Sequence, residues 1–339
     1  MQLHTSAEFG MDTLRLGASF ALALIVSYGA IWLLRPLWHN YALAKPNARS
    51  SHKEPTPQGG GIAVLLGFAC ALVLIPSTLP LFMAFAAALV LGVIGALDDL
   101  RSLDPAPRLL VQALAVTAVV TLLPANFHVV ANLPTWFERT LLVLGLLWFV
   151  NLTNFMDGID WITVAEIVPV TAAIALSSFV GALPADAALA AAALCGALIG
   201  FAPFNKPVAR LFLGDVGSLP IGLLTGWLLI RLGERQLAAA LLLPLYYIAD
   251  ATITLIRRFA RGEPVMQAHR CHFYQQAVDG SLGVKAVIAR ITALNLTLIV
   301  LAAVCIAIPS LPAHIAAIAT GCAATGAILW SFARVAKRS

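Results

Sequence analysis

Residues 79–99 read LPLFMAFAAALVLGVIGALDD, an apolar run from Leu79 to Leu97 that closes on two adjacent aspartates, Asp98 and Asp99. A helix needs roughly 20 apolar residues to cross the hydrocarbon of a bilayer, and this run supplies them. Two carboxylates at a membrane boundary are costly unless something positive meets them. The stretch therefore sets two expectations: a spanning helix, and a polar site at one end of it that handles a metal-bound substrate or a proton. A solvated helix end is the plainer reading of the aspartates taken alone.

The pattern repeats along the chain. Of 339 residues, 60% are hydrophobic and only 11% charged, against about 25% charged in a soluble domain. Apolar stretches bounded by Pro, Gly and charge predict about eleven spans. Their limits are 14–34, 60–77, 79–97, 108–124, 136–151, 162–181, 187–203, 218–232, 236–256, 284–308 and 312–332. The fold class expected is all-α, one polytopic membrane domain over residues 1–339. Glu8 and Asp12 stand where a signal peptide would be basic, so the first span reads as a retained helix. The five cysteines form no CxxC pair and suggest neither a disulfide framework nor zinc.

Charge orients the chain. With the C-terminus in the cytoplasm, every Lys and Arg except Arg15, Arg139, Arg231, Arg235 and the intraspan Arg290 falls in a cytoplasmic loop or tail, as the positive-inside rule requires. The polar, unusual segments fall on that same side: 45–61, Asp98–Arg108, Asn151–Asp160, Asn205–Ser218 and Arg257–Asp279. The opposite connections read as short and plain. The net charge of +5 is thus accounted for by topology and by anionic substrate, and nucleic acid is not expected.

Each polar segment carries its own chemistry. Asn151-Leu152-Thr153-Asn154-Phe155-Met156-Asp157-Gly158-Ile159-Asp160 packs hard oxygen donors around a glycine. Such donors suit Mg²⁺, which takes one or two protein ligands plus substrate phosphates; an Asn/Asp-rich turn is the alternative. Leu213-Gly214-Asp215-Val216-Gly217-Ser218 places an acid at a helix start, with Ser218 as the expected cap. His269-Arg270-Cys271-His272 is a donor cluster suited to phosphate oxygens, too tightly spaced for zinc. Asp250 lies inside a span, seven residues before Arg257 and able to share its helix face; an intramembrane acid is a functional candidate, and a tie to a neighbouring basic residue explains it equally well. Lys53, before Gly59-Gly60-Gly61, adds a mobile positive charge.

Taken in this order, the segments resemble the polyprenyl-phosphate N-acetylhexosamine-1-phosphate transferase family from His52 to Gln275. Asp98 and Asp99 look like its acidic pair, and Arg108 and Gln112 like the residues opening its next helix. Asn151, Asn154, Asp157, Gly158 and Asp160 match its Asn/Asp loop. Asp215, Gly217 and Ser218 match its Gly-Asp-x-Gly-Ser loop. Asp250, Arg257, Arg258, His269, Arg270 and His272 match its last cytoplasmic segment. The resemblance implies an Mg²⁺-dependent transferase of the bacterial inner membrane, with Mn²⁺ as the alternative ion. Asp215 and Asn154 are the implied metal ligands, and Asp98 and Asp99 act near the lipid phosphate. Lys53, Arg108, Asn151, Asp157, Asp160, His269, Arg270 and His272 bind substrate.

The implied partners are a UDP-N-acetylhexosamine, undecaprenyl (polyprenyl) phosphate and the bilayer, and a homodimer is permitted. Two departures stand out: Trp161 where the family usually has Gly, and no run of three histidines. The second points to the branch that starts O-antigen or another surface polysaccharide. A transporter or channel for an anionic or phosphorylated substrate is the alternative, but such proteins place polar groups near the midplane in repeated halves.

Overall fold

In hydrocarbon the backbone must satisfy its own polar groups, which favours helices, and the apolar runs all become helical. The computed structural model describes residues 6–41, 43–44, 56–264 and 269–336. Among them are twelve helices: α1 (Ser6–Tyr41), α2 (Gly60–Ala71), α3 (Leu79–Arg101), α4 (Pro105–Thr121), α5 (Thr135–Met156), α6 (Ile162–Leu176), α7 (Ala185–Asn205), α8 (Asp215–Leu242), α9 (Leu245–Ala260), α10 (Phe273–Asp279), α11 (Val284–Ala307) and α12 (Leu311–Ala336). Eight are long and apolar enough to cross a membrane: α1, α3, α5, α6 with its 3₁₀ extension, α7, α8, α11 and α12. The chain is a polytopic membrane protein. The helices α2 and α4 are shorter apolar ones.

The expected break between the eighth and ninth spans survives as a kink. Gln236 leaves helical geometry (φ −139°, ψ 59°) inside α8, and Pro244 then separates α8 from α9. At the centre stand α8 and α7, with 89% and 78% of their spanning windows buried; α1 and α12, at 28%, form the periphery. Central helices in lipid need small residues to let backbones meet. The Ala-rich α7 packs against α1, α2 and α6, and α8 against α3 and α5.

A Cβ on Gly61 would fall 2.1 Å from Gly217 Cα, so the starts of α2 and α8 touch through backbone alone. Next to that contact, Gly60 N and Gly61 N donate to Phe212 O and Leu213 O (both 2.9 Å), and Phe212 N donates to Pro57 O (2.8 Å). The only strands among the described residues, β1 (Leu43–Ala44) and β2 (Thr56–Pro57), pair antiparallel just before this zipper.

The face away from the polar segments is less plain than the sequence suggests. Asp186 at the start of α7 accepts from Thr78 Oγ1 (2.7 Å) and from both terminal nitrogens of the buried Arg231 (3.4 and 3.5 Å). Glu138 at the start of α5 accepts from Val129 N (2.6 Å) and Val130 N (2.8 Å) and meets His128 Nδ1 (2.8 Å). Charges left over by the orientation argument thus hold helix ends together. A buried carboxylate needs such partners to remain ionised.

Candidate active site at the ends of α3, α5 and α8

The first amides of a helix have no partner inside it and carry the positive end of its dipole. At α8 they are satisfied by a side chain from α3. Asp99 Oδ1 accepts from Asp215 N (3.0 Å) and Asp99 Oδ2 from Val216 N (3.1 Å), across 116 residues of sequence. Ser218 is therefore not the cap. It lies one turn inside α8, and its Oγ accepts from Asn154 Nδ2 (2.9 Å). The close approach needs Gly95, where an added Cβ would sit 2.3 Å from Asp215 O. Gln58 Nε2 donates to Asp99 O (3.1 Å) and braces the α3 end from the β2 side.

Around this joint the acids gather. Asp98 accepts from Leu103 N (2.6 Å) and is in tight contact with Arg108 Nη1, which also reaches Asp215 Oδ2 at 3.5 Å. Asn154 Nδ2 donates to Asp215 Oδ1 (2.8 Å). One turn up α5, Asn151 Nδ2 donates to Gln112 Oε1 (2.8 Å) on α4. Asp98 and Asp215 thus share the Arg108 guanidinium, while Asp99 is met by backbone amides alone among the described residues. Of the three directly bonded side chains Asp98, Arg108 and Asp215, the last is the most open, at 28% exposure against 11% and 21%.

That surplus of negative oxygen fits a divalent cation. No group of three or more His, Cys, Asp or Glu is arranged to hold a metal among the described residues. Mg²⁺ takes one or two protein ligands and draws the rest from water and substrate phosphate. Asp215 offers a carboxylate oxygen. Asn154 presents its amide nitrogen to Asp215, so in this arrangement it orients that carboxylate.

The Asn/Asp loop divides into two jobs. Asp157 accepts from Thr163 Oγ1 (2.5 Å). Enclosure raises its pKa to about 6 against that hydrogen bond, and the charges of Asp99 and Asp160 push the same way. A raised folded-state pKa means that the group favours folding below its unfolded value of about 3.9. That contribution is lost as pH rises through about 6. Asp157→Asn is therefore expected to flatten the fall in melting temperature of the magnesium-free protein in detergent between pH 4 and pH 7. An unchanged profile would exclude Asp157 as its source.

Asp160, by contrast, is buried and accepts from Ala209 N (2.9 Å), holding the segment that leads to α8. Trp161 sits at φ 67°, a conformation that costs a non-glycine residue on the order of 1–3 kcal/mol. Two hydrogen bonds offset it: Trp161 N to Asn205 Oδ1 (2.8 Å) and Trp161 Nε1 to Ala202 O (2.7 Å). The ring is thus anchored to the end of α7.

The His-rich segment reaches the Asn/Asp loop through α10. Tyr274 Oη donates to Phe155 O (3.3 Å), and a Cβ on Gly158 would lie 2.2 Å from that hydroxyl. Asp250 anchors the start of α10: it accepts from Phe273 N (3.0 Å), Tyr274 N (3.2 Å) and Tyr246 Oη (3.1 Å) and meets His272 Nδ1 (3.3 Å). Its tie is to a helix start, not to Arg257, whose guanidinium lies over the Phe273 ring at 4.5 Å.

His272 is buried, stacked on Tyr274 (ring centroids 5.7 Å apart) and tilted against His269 (4.9 Å). Arg270 is held by both carboxylate oxygens of Asp279 (3.0 and 2.7 Å). Lys53 lies outside the described residues. Thr163, Tyr274 and Gln58 are contributors that no local motif marks.

Of the sites expected from sequence, Asp98, Asp99, Arg108, Asn154 and Asp215 form one bonded cluster. Asn151 joins it through α5 and Asp157 through charge, while His269 and His272 reach the loop only by way of α10. Residues 81–233 match Glycosyl transferase family 4. The chain is 26% identical over 273 residues to a probable undecaprenyl-phosphate N-acetylglucosaminyl 1-phosphate transferase of Bacillus subtilis, covering 75% of this chain and 76% of the relative. It is 29% identical over 303 residues to a decaprenyl-phosphate N-acetylglucosaminephosphotransferase of Mycolicibacterium smegmatis (76% and 74%). It is 32% identical over 272 residues to a phospho-N-acetylmuramoyl-pentapeptide-transferase of a Synechococcus species (68% and 74%). With acids and amides of three helix ends joined at one face and this similarity running through α3 to α8, the chain belongs to glycosyl transferase family 4, as a membrane phospho-N-acetylhexosamine transferase acting on polyprenyl phosphate.

Proposed function

We propose that the protein transfers N-acetylhexosamine-1-phosphate from a UDP-sugar to undecaprenyl phosphate, releasing UMP, at the cytoplasmic face of a bacterial inner membrane. The chain would cross eleven times, with α10 outside the bilayer, and the product would start a surface polysaccharide such as O-antigen. The observation that carries this reading is the Asp99 carboxylate seated on the first amides of α8, which gathers Asp98 and Asp215 around Arg108. The names of the Bacillus and Mycolicibacterium relatives support N-acetylglucosamine as the sugar and a polyprenyl phosphate as the acceptor. The transporter alternative loses its motive, because the intramembrane acid Asp250 is fully used in holding α10.

In the reaction, an oxygen of the lipid phosphate forms a bond to the β-phosphorus, and the bond from that phosphorus to the bridging oxygen breaks. The electron pair leaves with UMP. Asp215 would hold Mg²⁺, which when bound neutralises diphosphate charge and steadies the leaving group. Asn154 keeps Asp215 turned toward the site. Arg108 offers a guanidinium fork to phosphate oxygens. A phosphate monoester has its second pKa near about 6, so Asp98 and Asp99 need remove only a residual proton, or orient the attack. Asp157, Asn151, Lys53, His269 and His272 complete the proposed substrate-binding set.

The test is UMP release by purified protein with UDP-N-acetylglucosamine, undecaprenyl phosphate and Mg²⁺. Turnover is expected to fall to background with a chelator and to return with Mg²⁺ or Mn²⁺. Turnover that ignores the chelator would remove the metal assignment. Mass detection of the lipid product across several UDP-sugars would identify the sugar.

A further inference from the structure

A cavity of about 380 Å³ lies between α9, α10 and α12, on the side of α10 away from Gly158. Its size is within the range of ligand pockets, roughly 300–1,000 Å³. Arg257, Arg258 and Arg261 line it, with Thr254, Gln276 and Ala333 among the other walls. Three arginines within five residues repel one another, and an i, i+4 pair such as Arg257 and Arg261 is destabilising on a helix. Their place at the C-terminal end of α9, the negative end of its dipole, offsets only part of that.

The nearby acids do not absorb them all. Glu263 takes Arg258 at 2.9 Å and Arg261 at 3.8 Å, and Asp279 is engaged by Arg270. Arg257 has no carboxylate partner among the described residues. Its guanidinium carbon lies 4.5 Å from the Phe273 ring centroid, and a guanidinium carries five N–H donors for an acceptor. Arg258 Nε is buried with no hydrogen-bond partner among the described residues. An arginine edge of this kind matches phosphate oxygens.

The depth of the cavity says what carries the phosphate. On α12, Trp330 is 61% exposed, with the Arg334 guanidinium 4.4 Å above its ring. A Trp with a neighbouring Arg marks the membrane–water interface. Ala333, a cavity wall, lies between the two in sequence. On α9, Ile256 and Phe259 are exposed beside the arginines (62% and 77%) and offer an apolar surface for an acyl chain.

We propose that this cavity binds the phosphate headgroup of an anionic phospholipid, separately from the transfer site. Bound there, the headgroup supports α10 from behind, while the Tyr274 side of the helix holds Phe155 and Gly158.

The experiment needs no transfer reaction, so it stands or falls apart from the proposed activity. Full-length protein in nonionic detergent is titrated with dioctanoyl phosphatidylglycerol, dioctanoyl phosphatidylcholine or inorganic phosphate, and occupancy is read by native mass spectrometry. Phosphatidylglycerol is expected to bind, with phosphatidylcholine weak and inorganic phosphate unable to displace it at equal concentration. The double variant Arg257→Gln/Arg261→Gln should lose about tenfold or more in apparent affinity, as expected for two arginines at an anionic surface. Ala333→Phe, which narrows the cavity without touching charge, should lose as much; it keeps the test decisive if the double variant does not fold. Unchanged phosphatidylglycerol binding in either folded variant overturns the proposal. So does equal binding of phosphatidylcholine, or displacement by inorganic phosphate, which would mark a site for the free ion.

Discussion

Asp215→Asn is expected to cut UMP release by on the order of 10²–10³-fold, the loss typical when one preorganised electrostatic contact to developing charge is removed, while leaving the fold intact. The amide keeps the size of the carboxylate and an oxygen for Asn154 Nδ2, now 2.8 Å from Asp215 Oδ1. The backbone amide of residue 215 keeps its bond to Asp99. What disappears is one carboxylate from a cluster in which Asp98 and Asp215 share Arg108. Stability should hold or rise slightly, since like charges in close quarters repel. Activity should fall because the most open carboxylate of the bonded cluster can no longer be ionised to meet a cation, and the magnesium concentration for half-maximal rate should increase. Turnover within about threefold of wild type, measured as UMP per protein in detergent, would take Asp215 out of the reaction. A collapse of melting temperature would show that its charge is structural.

Gly95→Ala is expected to lose activity about as severely, although Gly95 carries no functional group. An added Cβ would stand 2.3 Å from Asp215 O, 2.4 Å from Asp215 C and 2.7 Å from Val216 N. Those atoms are backbone and cannot rotate away, so the start of α8 must shift by about 1 Å. A displacement of that size in a catalytic arrangement costs about 10²-fold. The same shift lengthens the bonds from Asp215 N and Val216 N to Asp99, now 3.0 and 3.1 Å. Loss of a helix cap is worth about 1 kcal/mol, within a range of roughly 0.5–2. The variant should therefore show both a reduced rate and a lower unfolding midpoint. Gly145→Ala is the matched control, since nothing lies within 4 Å of a Cβ there. If Gly95→Ala behaved like the control, the α3–α8 contact would not govern the site.

The helical spans and the working face were legible because lipid imposes them. A chain that must bury every backbone polar group over some 20 residues writes its spans in plain hydropathy, and charged ends mark where they stop. Asp98, Asp99, Arg108, Asn154 and Asp215 stood out as polar groups at such ends, and they meet. Their individual roles were less legible. Ser218 looked like a cap because capping preference is a local rule, while the actual cap, Asp99, comes from another helix. Asp250 pointed by spacing to Arg257, yet its partners are the first amides of α10. Arg270 and Asp160 read as substrate groups, yet they bond Asp279 and Ala209. Nothing local announces which of two polar neighbours a tertiary partner will claim. Trp161 is the reverse case: its left-handed backbone explains why a glycine would suit the position, and a sequence carries no sign of that angle.

The bond between Asp99 and the start of α8 has a consequence for how the protein is made. During synthesis the acidic end of α3 emerges long before its partner, with α4 to α7 still to be threaded into the bilayer. Until then Asp99 must wait without the two amides it later engages, which no earlier segment supplies. A nascent chain halted before residue 215 would hold inserted helices but no reaction centre, so catalytic competence arises in one late docking event.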